Sequence, residues 1–327
     1  MSLSLAISRM RGANYDKLRA FIREDAALAG KPRLLILADI IYCTLRYGAA
    51  FHDYHTLRFY NLSAKERASF ITMGVNVKAV KQCNDINKRP IFEAKTLFNK
   101  TFDKYLKRRW VNLHETDRDS FITWLDGQPV VFAKRDFSSS GKDVVRFETK
   151  NFLDGGAFYD KLVAEHFDLV EEAINQHPFM SSIYPGSVNT MRLVTMLKDG
   201  ESHLIFGILR VAIEGFVDNL NAGGCCCVID CQEGVISSDA MTLDMQYMET
   251  HPVTGFRFKG SRFPMWEESV AMVNEAAKVC PDVRYTAWDV ALTPEGPVFV
   301  EGNYHPGYGL LQLPDQVGKK EDLLRYL

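Results

Sequence analysis

The feature that most constrains this chain lies near its C-terminus. Asp289 sits in the apolar run Ala287-Trp288-Asp289-Val290-Ala291-Leu292, and Glu301-Gly302-Asn303 closes the run Val298-Phe299-Val300. Thr293-Pro294-Glu295-Gly296 separates the two, so residues 286–292 and 297–302 read as a hairpin. Side chains alternate along a strand, which sets Asp289 on the face opposite Trp288 and Val290. Glu301 and Asn303 are two apart, so extended backbone turns both to one face. Two carboxylates and an amide oxygen on one sheet face form a hard, oxygen-rich site. Magnesium takes such ligands when substrate phosphates complete its octahedron. A hairpin that merely exposes acids is the plain alternative.

A second feature is Lys134, late in Pro129-Val-Val-Phe-Ala-Lys-Arg135, followed by Ser138-Ser139-Ser140-Gly141-Lys142. A strand lysine can aim one charge at phosphates, and a Ser/Gly loop offers backbone N–H groups to cradle them. The Gly-x4-Gly-Lys-Ser/Thr pattern is absent, and an ordinary hairpin turn has the same composition. A third feature is Arg192 and Arg210, each inside a strand-like run. An arginine on a central strand is costly unless it meets an anion. The two are therefore candidates for binding phosphate or carboxylate, or else structural partners of a buried acid.

Composition excludes several classes. The net charge of −2 and pI near 6.5 give no general attraction to nucleic acid or anionic lipid. The basic run Lys104-Tyr105-Leu106-Lys107-Arg108-Arg109 reads as one solvated helix face. Seven cysteines, three of them adjacent at 225–227, do not make a disulfide framework, and a reduced, cytoplasmic compartment is expected. Consecutive strand residues face opposite sides, so these cysteines read as core rather than as a zinc site. Met1 to Met10 lacks the pattern of a signal peptide, and the apolar run Leu34 to Tyr42 is interrupted by Asp39 and too short to span a bilayer. Neither a nucleic-acid partner nor stable membrane insertion is expected, and oligomeric state is not readable.

The spacing of apolar residues predicts a mainly helical region over 1–112, with Ser63 and Glu66 forming a capping box. A small α+β lobe follows over 113–178, in which 120–125 and 129–135 read as strand, turn, strand about Asp126-Gly127. A helix is predicted over 157–165. The larger lobe, 179–327, carries strands at 190–198 and 203–213 joined at Asp199-Gly200, a strand from Gly223, and a helix over 266–279. His52 and His55 read as packed or surface side chains on a helix. His305, just past the metal motif, is a candidate for touching substrate, with no such role as the plain alternative.

In this order the features resemble the ATP-grasp superfamily, and more narrowly its sugar-transfer-associated, α-L-glutamate ligase-like branch. The segments that carry the resemblance include Glu172-Ala-Ile-Asn-Gln-His177-Pro178, Ser187-Val-Asn-Thr-Met-Arg192, Asp218-Asn-Leu-Asn-Ala-Gly-Gly224 and His251-Pro-Val-Thr-Gly255. Pro264-Met-Trp266 and Trp288-Asp289 with Glu301-Gly-Asn303 complete the set. The resemblance implies an α+β fold of two lobes clamping ATP, with a helical region where the superfamily has an α/β domain. It implies that Lys134 contacts the α/β phosphates and that Ser139, Ser140, Gly141 and Lys142 close over them. Glu171 and Glu172 would lie near the adenine and ribose, with the register between them open. Lys88, with Lys95 as its rival, would open the first ATP-contacting helix, and Asn189 would join the nucleotide set. Asp289, Glu301 and Asn303 would bind one or two Mg²⁺ ions, and Arg192 and Arg210 would stabilise the transferred phosphoryl group or the acceptor's carboxylate.

The implied chemistry is a ligation. A carboxylate attacks the γ-phosphate of ATP, and an amine or other nucleophile displaces phosphate from the acylphosphate. Joining two anions needs Mg²⁺, Lys134 and an arginine to offset developing charge. Modification of a cell-surface polysaccharide precursor is the implied setting, by analogy alone. Phosphotransfer to a hydroxyl by the same ATP site, and a nucleotide-binding module without turnover, are the other classes.

Overall fold

The computed structural model describes residues 15–137 and 144–327. Met1 to Met10 and the loop residues Ser138, Ser139, Ser140, Gly141 and Lys142 lie outside the described residues.

Two antiparallel sheets carry the architecture. The smaller contains β1 (Trp110–Asn112), β2 (Val130–Lys134), β3 (Val144–Glu148) and β4 (Leu169–Glu172) in the order β1-β4-β2-β3. The larger is built from β5 (Thr190–Lys198), β6 (Glu201–Val211), β7 (Cys225–Asp230), β8 (Val235–Ile236), β9 (Ala240–Thr242), β10 (Tyr247–Met248), β11 (Tyr285–Thr293) and β12 (Gly296–Asn303). Its order is β10-β9-β7-β6-β5-β11-β12, with β8 on β7. The fold is α+β, as the sequence predicts. Among the described residues no helix is long and apolar enough to cross a membrane.

One predicted strand is a helix. Residues 120–125 belong to the helix Arg118–Leu125, not to a strand. A short apolar run such as Phe121-Ile122-Thr123-Trp124-Leu125 suits either state. Asp117 decides it as N-cap, its carboxylate accepting from the Ser120 N–H at 2.8 Å. The helix lays Phe121 against Phe158 beneath the small sheet. The Ser63 capping box forms as its spacing predicts, with the Glu66 carboxylate accepting from the Ser63 N–H at 2.7 Å.

The described part of the stretch 1–112 feeds more than one core. Helices Tyr15–Ala29, Arg33–Tyr47 and Phe51–Thr56 close a core of their own around Ile36, Ile40, Tyr54, Phe59 and Phe70. Helices Met73–Cys83 and Lys95–Leu106 join the core of the large sheet. There Phe98 and Phe102 pack behind β11 and β12, and Trp288 stacks on Phe299 with ring centres 4.9 Å apart. His55 is packed, as expected: it pairs with the buried Asp25 at 2.7 Å and stacks on Phe21. All seven cysteines are free thiols, and Cys225, Cys226 and Cys227 are buried in β7. Burial pushes the Cys225 thiol up to about 12, which makes it a small apolar residue at neutral pH.

Candidate active site

Cross-strand pairing places the large-lobe residues in one row. Arg192 on β5 pairs with Asp289 on β11, and Asp289 pairs with Glu301 on β12. Arg210 on β6 stands opposite Thr190, two residues along the same face. A β-bulge between Asp289 and Val290 shifts the hairpin register, so Phe299 pairs with Val290 and Val300 is the extra residue. Plain alternation would put Phe299 and Glu301 on one side. The bulge sends Phe299 to the core against Trp288 and Glu301 to the opposite face.

Gly302 is required on the core side of this hairpin. A Cβ there would come within 2.5 Å of the Phe98 ring and 3.1 Å of Phe92. Phe98 is packed against Phe102 and Phe299, so it can give way only by leaving those rings toward the cleft. Gly302→Ala should therefore cost about 1–3 kcal/mol by overpacking and displace both flanking polar residues. A thermal melt together with nucleotide titration would measure both effects.

The two sheets face each other across a cavity of about 680 Å³. The small lobe contributes Lys134 and Glu171, and the large lobe Arg192, Arg210, Glu301 and Asn303. Lys134 is ion-paired to Glu171, which also accepts from Asn99 at 2.7 Å and from Arg108 at 2.9 Å. Burial alone would raise Glu171, but the Arg108 and Lys134 charges outweigh it and bring the carboxyl down to about 2. A depressed pKa means stability that is complete above the ordinary 4.5 and is lost as pH falls through about 2. Glu171→Gln should flatten that acid limb when urea unfolding is followed against pH.

Asp289 is wholly buried, and arginines occupy its oxygens. Arg192 donates to both, at 2.8 Å each, and Arg210 lies 3.0 Å away. Burial would raise its pKa, but the two guanidinium charges hold it far below the usual carboxylate range. Arg210 also donates to Thr190 at 2.9 Å and meets Asp218 at 3.4 Å. The acid-paired reading of the two arginines is thus observed, at the edge of the cleft rather than away from it. Glu301 differs from Asp289. Its side chain is 43% exposed into the cleft, and burial together with the Asp289 charge pushes its pKa well above the usual range. Water reaching the carboxylate screens part of that push.

Glu301 and the Asn303 amide are the oxygen donors that face the cleft, and magnesium takes such ligands when substrate phosphates complete its octahedron. Asp289, whose oxygens the arginines take, braces the row from beneath. Asn303 adds a buried amide nitrogen with no hydrogen-bond partner, so this side chain is not locked to the protein through that atom.

Other predicted residues fall differently. Lys88 lies outside the cleft, 3.9 Å from Asp282 on the surface, whereas its rival Lys95 lines the cavity and donates to the Arg135 and Asp136 carbonyls. Glu172 turns away from the cleft and accepts from the Arg109 N–H at 3.0 Å, leaving Glu171 as the one that faces inward. Asn189 is buried away from the cavity, where its side chain donates to the Met180 and Tyr184 carbonyls and fixes the approach to β5. His305 does line the cleft, beside Arg89, Glu93 and Gly307. Arg108, read as part of a solvated helix face, is instead buried against Glu171 and the Phe299 carbonyl. The signal was its position past the helix end at Leu106, where the chain enters β1 and helical periodicity no longer applies.

The wall beyond the hairpin is tied to the helical front. Tyr308 donates to Asp53 at 2.7 Å, and Gln312 both accepts from and donates to the Ile71 backbone, at 2.7 and 3.0 Å.

A family model for sugar-transfer associated ATP-grasp proteins matches residues 135–325, more than half of the chain. The chain belongs to that family. The match covers every cleft residue of the large lobe and begins one residue after Lys134. No curated protein matches the chain. Among solved structures it is similar to an ADP complex of the N5-carboxyaminoimidazole ribonucleotide synthetase purK, at 12% identity over 67% of this chain and 46% of that one, with a TM-score of 0.41. It is also similar to the D-alanine-D-alanine ligase from Coxiella burnetii, at 11% identity over 72% and 57%, with a TM-score of 0.41. The ATP-grasp ligase PsnB complexed with its minimal precursor aligns at 12% identity over 82% and 72%, with a TM-score of 0.44. The chain spans about half the length of the first two.

Proposed function

We propose that this member of the sugar-transfer associated ATP-grasp family is an ATP- and Mg²⁺-dependent ligase that joins a carboxylate to an amine or other nucleophile through an acylphosphate. The observation that supports it most is the opposition of two charge sets across one cleft. Lys134, held by Glu171, faces it from the small sheet, and the Arg192–Asp289–Glu301 row from the large one.

Glu301 and Asn303 would hold the metal, which when bound supplies positive charge to the triphosphate, while Asp289 beneath them holds the two arginines. Lys134 binds phosphate oxygens as a point charge, and Glu171 keeps its ammonium aimed across the cleft. Arg192 and Arg210 offset charge as the acceptor carboxylate approaches the γ-phosphate. Both arginines already rest on Asp289, so they are oriented before substrate arrives. Phe92, Phe98 and Leu220 supply apolar wall around these charges, which strengthens each of them by excluding water. The end lined by Arg89, Glu93 and His305 would receive the acceptor, a small molecule that is sugar-linked in the polysaccharide setting implied by the family.

The test is an assay of purified protein with ATP, Mg²⁺ and panels of amino acids and sugar acids. Acceptor-dependent release of ADP and phosphate in equal amounts is expected, with hydroxylamine trapping the acyl group as a hydroxamate. ADP without free phosphate, accompanied by a phosphorylated acceptor, would instead identify a kinase.

A further inference from the structure

The helix Arg33–Tyr47 is apolar on two faces, and only one of them is used. Ile36, Ile40 and Cys43 enter the core of the helical front. On the opposite side Leu34, Ala38, Ile41 and Leu45 follow one another at spacings of four, three and four, which aligns them in one stripe along the helix. Leu34 is 79% exposed, Ile41 41% and Leu45 39%, and Leu35 and Tyr42 widen the stripe at 58% and 50%. Leu28, near the end of the preceding helix, is a further exposed apolar side chain at 58%. A surface helix normally turns polar residues outward, so a continuous apolar stripe marks an interaction surface.

The charges around the stripe say what covers it. Arg33 flanks it at one end and Arg46 at the other, while Lys31 just ahead turns its ammonium to the Tyr60 carbonyl at 3.1 Å. The helix's one acid, Asp39, is already neutralised: Arg67 donates to both of its oxygens at 2.8 and 2.7 Å, and Tyr54 adds a third bond at 2.8 Å. A second copy of the helix fits these charges poorly. Antiparallel pairing sets Arg33 of one copy beside Arg46 of the other, and parallel pairing sets each arginine beside itself. An anionic lipid surface accepts both ends at once, takes the leucines and isoleucine into its acyl boundary, and suits a tyrosine at headgroup level. We infer that the helical front docks reversibly on an anionic membrane surface through the outer face of Arg33–Tyr47. The binding is peripheral and keeps the cleft on a protein that lies at, not in, the bilayer.

Sedimentation of the full chain with phosphatidylcholine vesicles, with and without phosphatidylglycerol, tests this. The protein should pellet with the phosphatidylglycerol vesicles and be released by salt. Leu34→Glu with Ile41→Glu, and separately Arg33→Glu with Arg46→Glu, should each weaken the binding by about tenfold. Both pairs should leave the circular dichroism spectrum and the rate of ADP release unchanged, since none of these residues lines the cleft. Four outcomes would overturn the inference. The wild type could stay in solution with both vesicles, or bind both equally with no response to salt or to the arginine pair. Light scattering could show a dimer that Leu34→Glu with Ile41→Glu splits, so that a second copy is the occupant. Binding could appear only after residues 1–14 are removed, so that the chain's own N-terminal segment covers the stripe.

Discussion

Asp289→Asn should bring the protein close to unfolding and abolish the ADP release expected of the proposed ligase. The substitution keeps the shape of the side chain and one acceptor but removes the charge on which Arg192 and Arg210 both rest. Two guanidinium groups then share a buried site, with Asp218 as the nearest remaining full charge for Arg210. Breaking a buried ion pair by removing one partner costs about 3–5 kcal/mol, because the survivor stays desolvated. Against a total of roughly 5–15 kcal/mol, that is a large fraction. Urea unfolding of the variant should show a much lower midpoint. A midpoint within error of the wild type would mean that the arginines do not depend on Asp289.

Glu301→Gln should have the opposite profile. Its side chain opens to the cleft, and its raised pKa means that the native environment opposes its charge. A group whose folded pKa is raised stabilises fully below its unfolded pKa of about 4.5 and loses that contribution as pH rises through the folded value. Glutamine carries no such loss, so the variant should be at least as stable as the wild type at neutral pH. ADP release should nevertheless fall by about 10²–10³, the scale of removing one charge-stabilising group from a reacting centre. Calorimetric titration with Mg²⁺ and ATP should show the metal-dependent part of binding weakened. Turnover within a few fold of the wild type would remove Glu301 from the ligand set. The pair of variants separates an acid that holds the site together from one that serves its ligand.

The hairpin and the face of Asp289 were legible in the sequence from β-alternation and the Pro294-Gly296 turn. That Glu301 shares this face depends on the bulge at Val300, since a regular hairpin counted from the turn sets Glu301 opposite Trp288. Arg192 and Arg210 were legible for a similar reason, since a charge inside an apolar run must meet its counterpart. Their partner was not. Alternation says which face a residue takes, but not that β5 lies between β6 and β11, and strand order is what delivers both arginines to Asp289. Asn189 shows the converse limit. A polar residue beside a strand start resembles a ligand in sequence, yet its amide holds the Met180 and Tyr184 carbonyls at the end of the helix Pro178–Ile183. Lys88 and Lys95 are both on short helical segments, and only the packing of Lys95–Leu106 behind β12 selects the one that reaches the cleft. The helix at Arg118–Leu125 was missed because one capping aspartate outweighed an ambiguous apolar run.

The bulge at Val300 bears on how such sites are to be found by their spelling. In a regular antiparallel hairpin, residues that pair consecutively are consecutive on both strands. Here Asp289 meets Glu301 and Val290 meets Phe299, so one residue of the interval between the two acids belongs to no pair. A chain lacking Val300 would keep Phe299 in the core and Glu301 in the cleft, with an interval one residue shorter. The spacing between the acids is therefore not a fixed signature of the site. Pattern searches for this hairpin should allow that interval to vary by one, and hold constant instead the single residue that separates the second acid from its asparagine.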